Sequence, residues 1–150
     1  MSTEIERKYL VHKQLLPNLD VYKCDTIIQG YLSTNSELTV RLRIKNDLAY
    51  LTFKGPRKGI SRIEIEFPVD LAVAEDLISS FQLTLLSKKR YTIPFKEIFV
   101  ELDVFEQRLE GLILAEIEMS SEKQAIELPE WIGEDVSVKE EYYNVNLIKS

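Results

Sequence analysis

The sequence predicts a mainly β (α+β) fold: an eight-stranded antiparallel barrel, closed on itself, with a few helices packed outside. Three observations predict it. Charged residues alternate with aliphatics at a period of two along most of the chain, which is the strand period. Turn-forming residues separate the alternating runs at close spacing, which favours antiparallel hairpins over βαβ crossovers. Helical periodicity is confined to three stretches, so the strands have few helices to cover their edges, and closure is what removes those edges.

Strands are expected at 3–11, 25–33, 38–45, 49–54, 61–67, 84–93, 97–105 and 112–120. Thr34-Asn35-Ser36, Asn46-Asp47, Gly55-Pro56 with Gly59, and Pro94 supply turns between them. After Pro68, Asp70 can cap a helix that places Val73, Ala74, Leu77, Ile78 and Phe81 on one face. A second short helix is expected from Glu122 to Leu128, stopped by Pro129, and a terminal one from Tyr142 to Lys149. No solenoid repeat, low-complexity run or linker divides the chain, so residues 1–150 read as a single domain.

Composition excludes several functions. The formal charge is −6, from 19 Lys+Arg against 25 Asp+Glu, which argues against a nucleic-acid partner. Any anion must be held by locally concentrated bases or through metal ions. Cys24 is the single cysteine, so the chain can form neither an intrachain disulfide nor a cysteine cluster, and a reducing compartment is favoured. The first residues do not read as a signal peptide, and apolar runs such as Leu112-Ile113-Leu114-Ala115 are too short to span a bilayer. The expectation is a cytoplasmic protein with no membrane partner.

The charges are sorted by sign. Acids pair at Glu4/Glu6, Glu64/Glu66, Glu101/Asp103 and Glu116/Glu118, and bases at Arg41/Arg43 and Lys88/Arg90. Residues two apart on a strand lie about 7 Å from each other on the same face. Like charges at that distance repel by roughly 0.6 kcal/mol in water and about 2 kcal/mol at an effective dielectric near 20. A plain wet sheet face relieves such strain by mixing signs across strands. The alternates are mostly Ile, Leu and Val, suited to a surface covered by helices. Charges facing into a wide lumen are therefore expected, with the apolar face outward. Carboxylates are hard donors for Mg²⁺ or Mn²⁺, while Lys and Arg bind phosphate, so a metal-coordinated polyphosphate satisfies both sets. The competing reading is a structural network in which the charges neutralise one another.

On these residues the chain resembles the CYTH superfamily, also called triphosphate tunnel metalloenzymes. The ordered series is Glu4-x-Glu6-x-Lys8, Gln29-Gly30-Tyr31-Leu32, Arg41-x-Arg43, Lys54-Gly55, Glu64-x-Glu66, Ser87-Lys88-x-Arg90-Tyr91, Glu101-x-Asp103, and Gly111-Leu112 leading to Ala115-Glu116-Ile117-Glu118. Trp131-Ile132-Gly133 and Tyr143-Asn144 are similar to bacterial members. The resemblance implies an eight-stranded tunnel, a small anionic triphosphate substrate, and a requirement for Mg²⁺ or Mn²⁺ as two ions. Lys8, Arg41, Arg43, Lys54, Lys88 and Arg90 would cradle phosphate oxygens. Glu4, Glu6, Glu64, Glu66, Asp103, Glu116 and Glu118 would supply metal ligands and their partners. Glu4 and Glu6 fit an ion that activates water, and Lys88 would orient or deprotonate that water. A lysine base needs a lowered pKa, whereas neighbouring acids raise it, which weighs against the base role.

The leading activity is hydrolysis of inorganic tripolyphosphate to pyrophosphate and phosphate. The alternatives are a CYTH-type (class IV) adenylate cyclase making cyclic AMP from ATP, a thiamine-triphosphatase, and a non-catalytic polyphosphate-binding module. No purine reader and no P-loop stand out in the sequence. Relatives often carry an arginine before the Tyr-x-Asn region; here Glu140-Glu141-Tyr142-Tyr143-Asn144 is acidic, which bears on a plug role at the tunnel mouth. Arg57 and Lys58 are read as solvated turn residues, His12 as a surface residue, Cys24 as a small buried hydrophobe, and Trp131 as packing at the barrel end. Tyr31 and Tyr91 fit either the lumen rim or the core. Outward aliphatics left uncovered would suit a homodimer face.

Overall fold

The structure is a computed structural model that describes residues 2–149. Its strands are β1 (Ser2–Val11), β2 (Lys23–Asn35), β3 (Leu38–Lys45), β4 (Leu48–Lys54), β5 (Ser61–Val69), β6 (Leu86–Phe95), β7 (Ile98–Phe105), β8 (Ile113–Glu118) and β9 (Ile132–Asp135). All pairings are antiparallel, in the order β5-β4-β3-β2-β6-β7-β8-β1, and a β5–β1 pairing closes the barrel of eight. The ninth strand was not expected. β5 pairs with Ser2–Ile5 of β1, and β9 takes the same edge further along, at Tyr9 and Val11. Four residues with a glycine carry too little alternation to register as a strand in sequence.

Asn46, at φ 55°, turns β3 into β4 over two residues, a conformation that asparagine tolerates. Gly30 is required by crowding: a Cβ there would lie 3.1 Å from the Thr84 carbonyl and 3.2 Å from the Leu85 side chain, where the chain entering β6 passes β2.

Because most of the lumen is charged, the larger apolar clusters lie outside it, while a smaller one, Leu86, Phe105 and Leu114, faces inward at one end. Helix α1 (Leu71–Ser80) lays Ala74, Leu77 and Ile78 over Leu42, Ile44, Ala49 and Leu51 on β3 and β4. Asp70 occupies the N-cap position but makes no side-chain capping bond. The larger cluster covers β1, β6, β7 and β8, centred on Tyr9, Ile93, Val100, Leu102, Ala115 and Ile117. Connecting segments and β9, not α-helices, cover it. Leu16, Leu19 and Tyr22 come from the β1–β2 connection; Met119, Ile126, Trp131 and Ile132 come from the segment after β8. Trp131 packs on the barrel wall where β1 ends, its carbonyl accepting from the His12 N–H at 2.7 Å.

The helix expected at 122–128 is irregular. Gln124 accepts hydrogen bonds from the Ser120 backbone (2.6 Å) and hydroxyl (2.8 Å), side-chain bonds that replace a helical start. The terminal helix is also shorter than expected: a 3₁₀ turn at Glu140–Tyr142 followed by α2 (Asn144–Leu147). It enters one end of the barrel, where Leu147 and Ile148 pack on Leu86, Phe105 and Leu114. Cys24 is exposed, contrary to expectation, because it points outward on β2. On β5, Ile63, Ile65 and Phe67 remain 42–49% exposed, a part of the outer face that no helix covers. Among the described residues no helix is long and apolar enough to cross a membrane.

Candidate active site

Register decides which side chains meet. Across neighbouring strands Glu6 stands opposite Glu118, Lys8 opposite Glu116, and Glu101 opposite Glu116. Asp103 faces Arg90, Gln29 faces Arg43, and Arg41 faces Thr52. Thr52 in turn faces Glu66, Lys54 faces Glu64, and Glu4 faces Arg62. Directly opposed residues share a sheet face, so the whole set lines one surface. Burial shows that surface to be the lumen: Lys8, Arg41, Lys88, Arg90, Asp103 and Glu116 are all buried.

The most enclosed group centres on Asp103. Its carboxylate accepts from Lys88 Nζ at 2.7 Å, from Arg90 Nε at 2.7 Å and from Arg90 Nη2 at 2.9 Å. Arg90 also reaches Glu101 at 3.0 Å and Glu116 at 3.3 Å. Lys8 Nζ lies 3.5 Å from Glu116 and donates to the Tyr142 carbonyl at 2.9 Å. Burial opposes ionisation of Glu116 and Asp103, but adjacent cations hold both below the ordinary carboxylate range: Lys8 and Arg90 for Glu116, Arg90 and Lys88 for Asp103. For Lys88 the balance tips the other way. Complete burial outweighs Asp103 and lowers its pKa to about 7. The sequence shows the neighbouring acids but not the depth of burial.

A second group lies around Glu4. Lys54 Nζ bonds both Glu4 oxygens, at 3.0 and 2.9 Å, and sits 3.8 Å from Glu64. The Glu4 and Glu64 carboxyl groups act on each other, and their pKa values are pushed apart. Glu4 is lowered to about 2, burial being outweighed by the interaction with Glu64 and the charge of Lys54. Glu64 is raised to about 7 by that same interaction and by burial. Glu66 accepts from Thr52 at 2.5 Å and Arg41 at 3.3 Å. Arg43 donates twice to Gln29 Oε1, at 3.1 and 2.9 Å, and Gln29 donates on to Tyr31 Oη at 3.3 Å.

Glu6 differs from these. Among the described residues its side chain has no hydrogen bond or ion pair, and burial together with the charges of Glu116 and Glu4 raises it to about 8. Glu118 stands opposite it and is exposed. Among the described residues no three acids stand close enough to form a finished metal shell. The chemistry nevertheless fits a divalent cation: a buried, uncompensated carboxylate oxygen set beside other carboxylates is relieved by a hard ion.

A cleft leads into the lumen between Lys8, Arg41, Lys54 and Glu6 on one side and Asn144 of the terminal segment on the other. Among the described residues, the buried side-chain polar atoms without a partner are Arg41 Nε and Asn144 Oδ1, and both residues line this cleft. Arg57 also lines it, half-buried, with its guanidinium 3.7 Å from the Tyr143 ring centroid, so it is not a solvated turn residue. Tyr31 faces the lumen, while Tyr91 packs on the outer core. His12 and Lys58 are exposed, as expected.

Arg62, Gln29 and Thr52 line the lumen but were given no site role in the sequence, Gln29 being present there only within a motif. Arg62 lies two residues before Glu64 in the same alternation, a signal passed over because acids were matched only with acids. Gln29 is buried on Arg43, and no spacing rule singles out a lone amide.

Comparison with known proteins agrees with this architecture. The CYTH domain family model matches residues 2–147. The inorganic triphosphatase of Acetivibrio thermocellus is 35% identical over 151 residues, covering 100% of this chain and 96% of that protein. The inorganic triphosphatase of Nitrosomonas europaea is 36% identical over 153 residues, covering 99% and 98%. A crystal structure of an inorganic triphosphatase superposes with a TM-score of 0.71 at 34% identity, covering 100% of this chain and 97% of that one. With its barrel closed and its lumen charged in the same order as the motif series, this chain belongs to the CYTH domain family.

Proposed function

We propose that the protein is a divalent-metal-dependent triphosphatase that hydrolyses inorganic tripolyphosphate to pyrophosphate and phosphate. The observation that carries this reading is the cleft in which a buried guanidinium nitrogen, Arg41 Nε, waits without an acceptor among further bases. A buried donor left unpaired costs about 1–3 kcal/mol, and a phosphate oxygen satisfies it. The relatives named inorganic triphosphatase, 35% and 36% identical over essentially the whole chain, supply the substrate class.

In this reading Lys8, Arg41, Arg43, Lys54, Lys88 and Arg90 bind the phosphate oxygens. Glu4, Glu6, Glu64, Glu66 and Glu118 would hold Mg²⁺ or Mn²⁺, as two ions, which would supply charge neutralisation and an activated water. Asp103 and Glu116 brace Lys88, Arg90 and Lys8 at fixed positions. Substrate binding is then an exchange of partners. Lys54, now paired with Glu4, and Arg41, now paired with Glu66, would each take phosphate, and the two carboxylates would be freed to hold metal. Lys88, poised near neutrality, orients the attacking water at the terminal phosphorus or accepts its proton.

The test supplies tripolyphosphate or ATP with Mg²⁺ or Mn²⁺ and follows phosphate and cyclic AMP separately. Chelator-sensitive phosphate release from tripolyphosphate supports the triphosphatase. Cyclic AMP and pyrophosphate from ATP, without that release, would replace it with a cyclase.

A further inference from the structure

Arg62 has the properties of a substrate ligand. Its side chain is buried on β5, 8% exposed, yet among the described residues it has no carboxylate partner. Its other contacts are neutral. Nε and Nη2 donate to the Gly55 carbonyl at 3.0 and 2.7 Å, and Nη2 reaches Thr39 Oγ1 at 3.4 Å. Lys8, Arg41, Lys54, Lys88 and Arg90, in contrast, each lie within 4 Å of an acid. Burying a cation without a counter-ion is costly, and neutral acceptors hold the group in place without cancelling its charge. Nη1 makes no hydrogen bond among the described residues, and Arg62 lines the same cleft as Arg41, Lys54 and Lys8. The fork is therefore fixed on one side by Gly55 and open on the other to an anion.

We propose that Arg62 binds a phosphate group of the substrate and that this charge, uncompensated in the free protein, helps set the affinity for the triphosphate. The inference rests on the triphosphatase reading. The competing role is structural: Arg62 could serve only to hold the turn at Gly55.

The test compares the wild-type chain with Arg62→Ala and Arg62→Lys. Steady-state hydrolysis of tripolyphosphate with Mg²⁺ is measured beside the rise in Tm that tripolyphosphate causes in chelator. Arg62→Ala is expected to raise KM by about tenfold or more with at most a few-fold change in kcat, and to lose most of the Tm rise. Arg62→Lys is expected to recover part of both, because a charge remains. An unchanged KM and Tm rise in Arg62→Ala would overturn the proposal. So would a fall in Tm without ligand that Arg62→Lys repairs while KM never moves, since that marks the turn-holding role. If the wild type binds tripolyphosphate, by its Tm rise, but does not hydrolyse it, the triphosphatase reading fails. The Tm rise in the two variants then still decides on Arg62.

Discussion

Glu6 is a buried carboxyl whose environment disfavours its charge. Its folded pKa, about 8, is raised above the ordinary 4.5 by burial and by Glu116 and Glu4. A carboxyl raised in this way imposes no penalty while both states are protonated, below about 4.5, and its full penalty once pH passes about 8. In chelator, Tm should therefore fall as pH rises through that window, and Glu6→Gln should flatten the fall. The same variant should lose at least tenfold in turnover, having given up a metal oxygen. A Tm profile identical to wild type would show that Glu6 is not the strained group. Asp103 behaves oppositely. It is wholly buried and braces two cations, so Asp103→Asn leaves Lys88 and Arg90 underpaired. Breaking a buried pair costs about 3–5 kcal/mol, which denaturant unfolding would register directly.

At the scale of elements, period-two alternation located the eight barrel strands to within a few residues, because each strand separates a charged lumen from an apolar wall. Elements outside that rule were less legible. β9 is four residues long, the 122–128 stretch was diverted by Gln124, and only a short helix formed near the end of the chain. Sequence also could not say what covers the wall, since loops carrying Leu16, Tyr22, Ile126 and Trp131 have no period to read. The sorted charges made the lumen visible, whereas Arg62 and Gln29 belong to no doublet and needed the register to place them. The terminal segment is held by apolar contact as well as by Lys8 on the Tyr142 carbonyl and Arg57 on the Tyr143 ring. Leu147 is 6% exposed against Phe105 and Leu114, so Leu147→Ala should cost about 2–5 kcal/mol in unfolding free energy. A loss near zero would mean that the segment does not hold the barrel end.

As a whole the molecule inverts the usual arrangement, with most apolar contacts outside a barrel whose interior is ionic except at the end filled by Leu147 and Ile148. The acids and bases of the lumen compensate one another in the free protein through Lys54–Glu4, Arg41–Glu66, Lys8–Glu116 and Lys88–Asp103. That network leaves Glu6 without a cation and Arg43 and Arg62 without a carboxylate, so metal and polyphosphate together would complete what neither completes alone. Mg²⁺ and a slowly hydrolysed tripolyphosphate analogue should each raise Tm modestly, and together by more than the sum. The most direct measurement of the central claim is ³¹P NMR of tripolyphosphate incubated with the protein and Mg²⁺ or Mn²⁺. The account predicts one pyrophosphate and one phosphate per molecule consumed, stopping when chelator is added. Tripolyphosphate left intact with either ion, or consumed equally well in chelator, would contradict it.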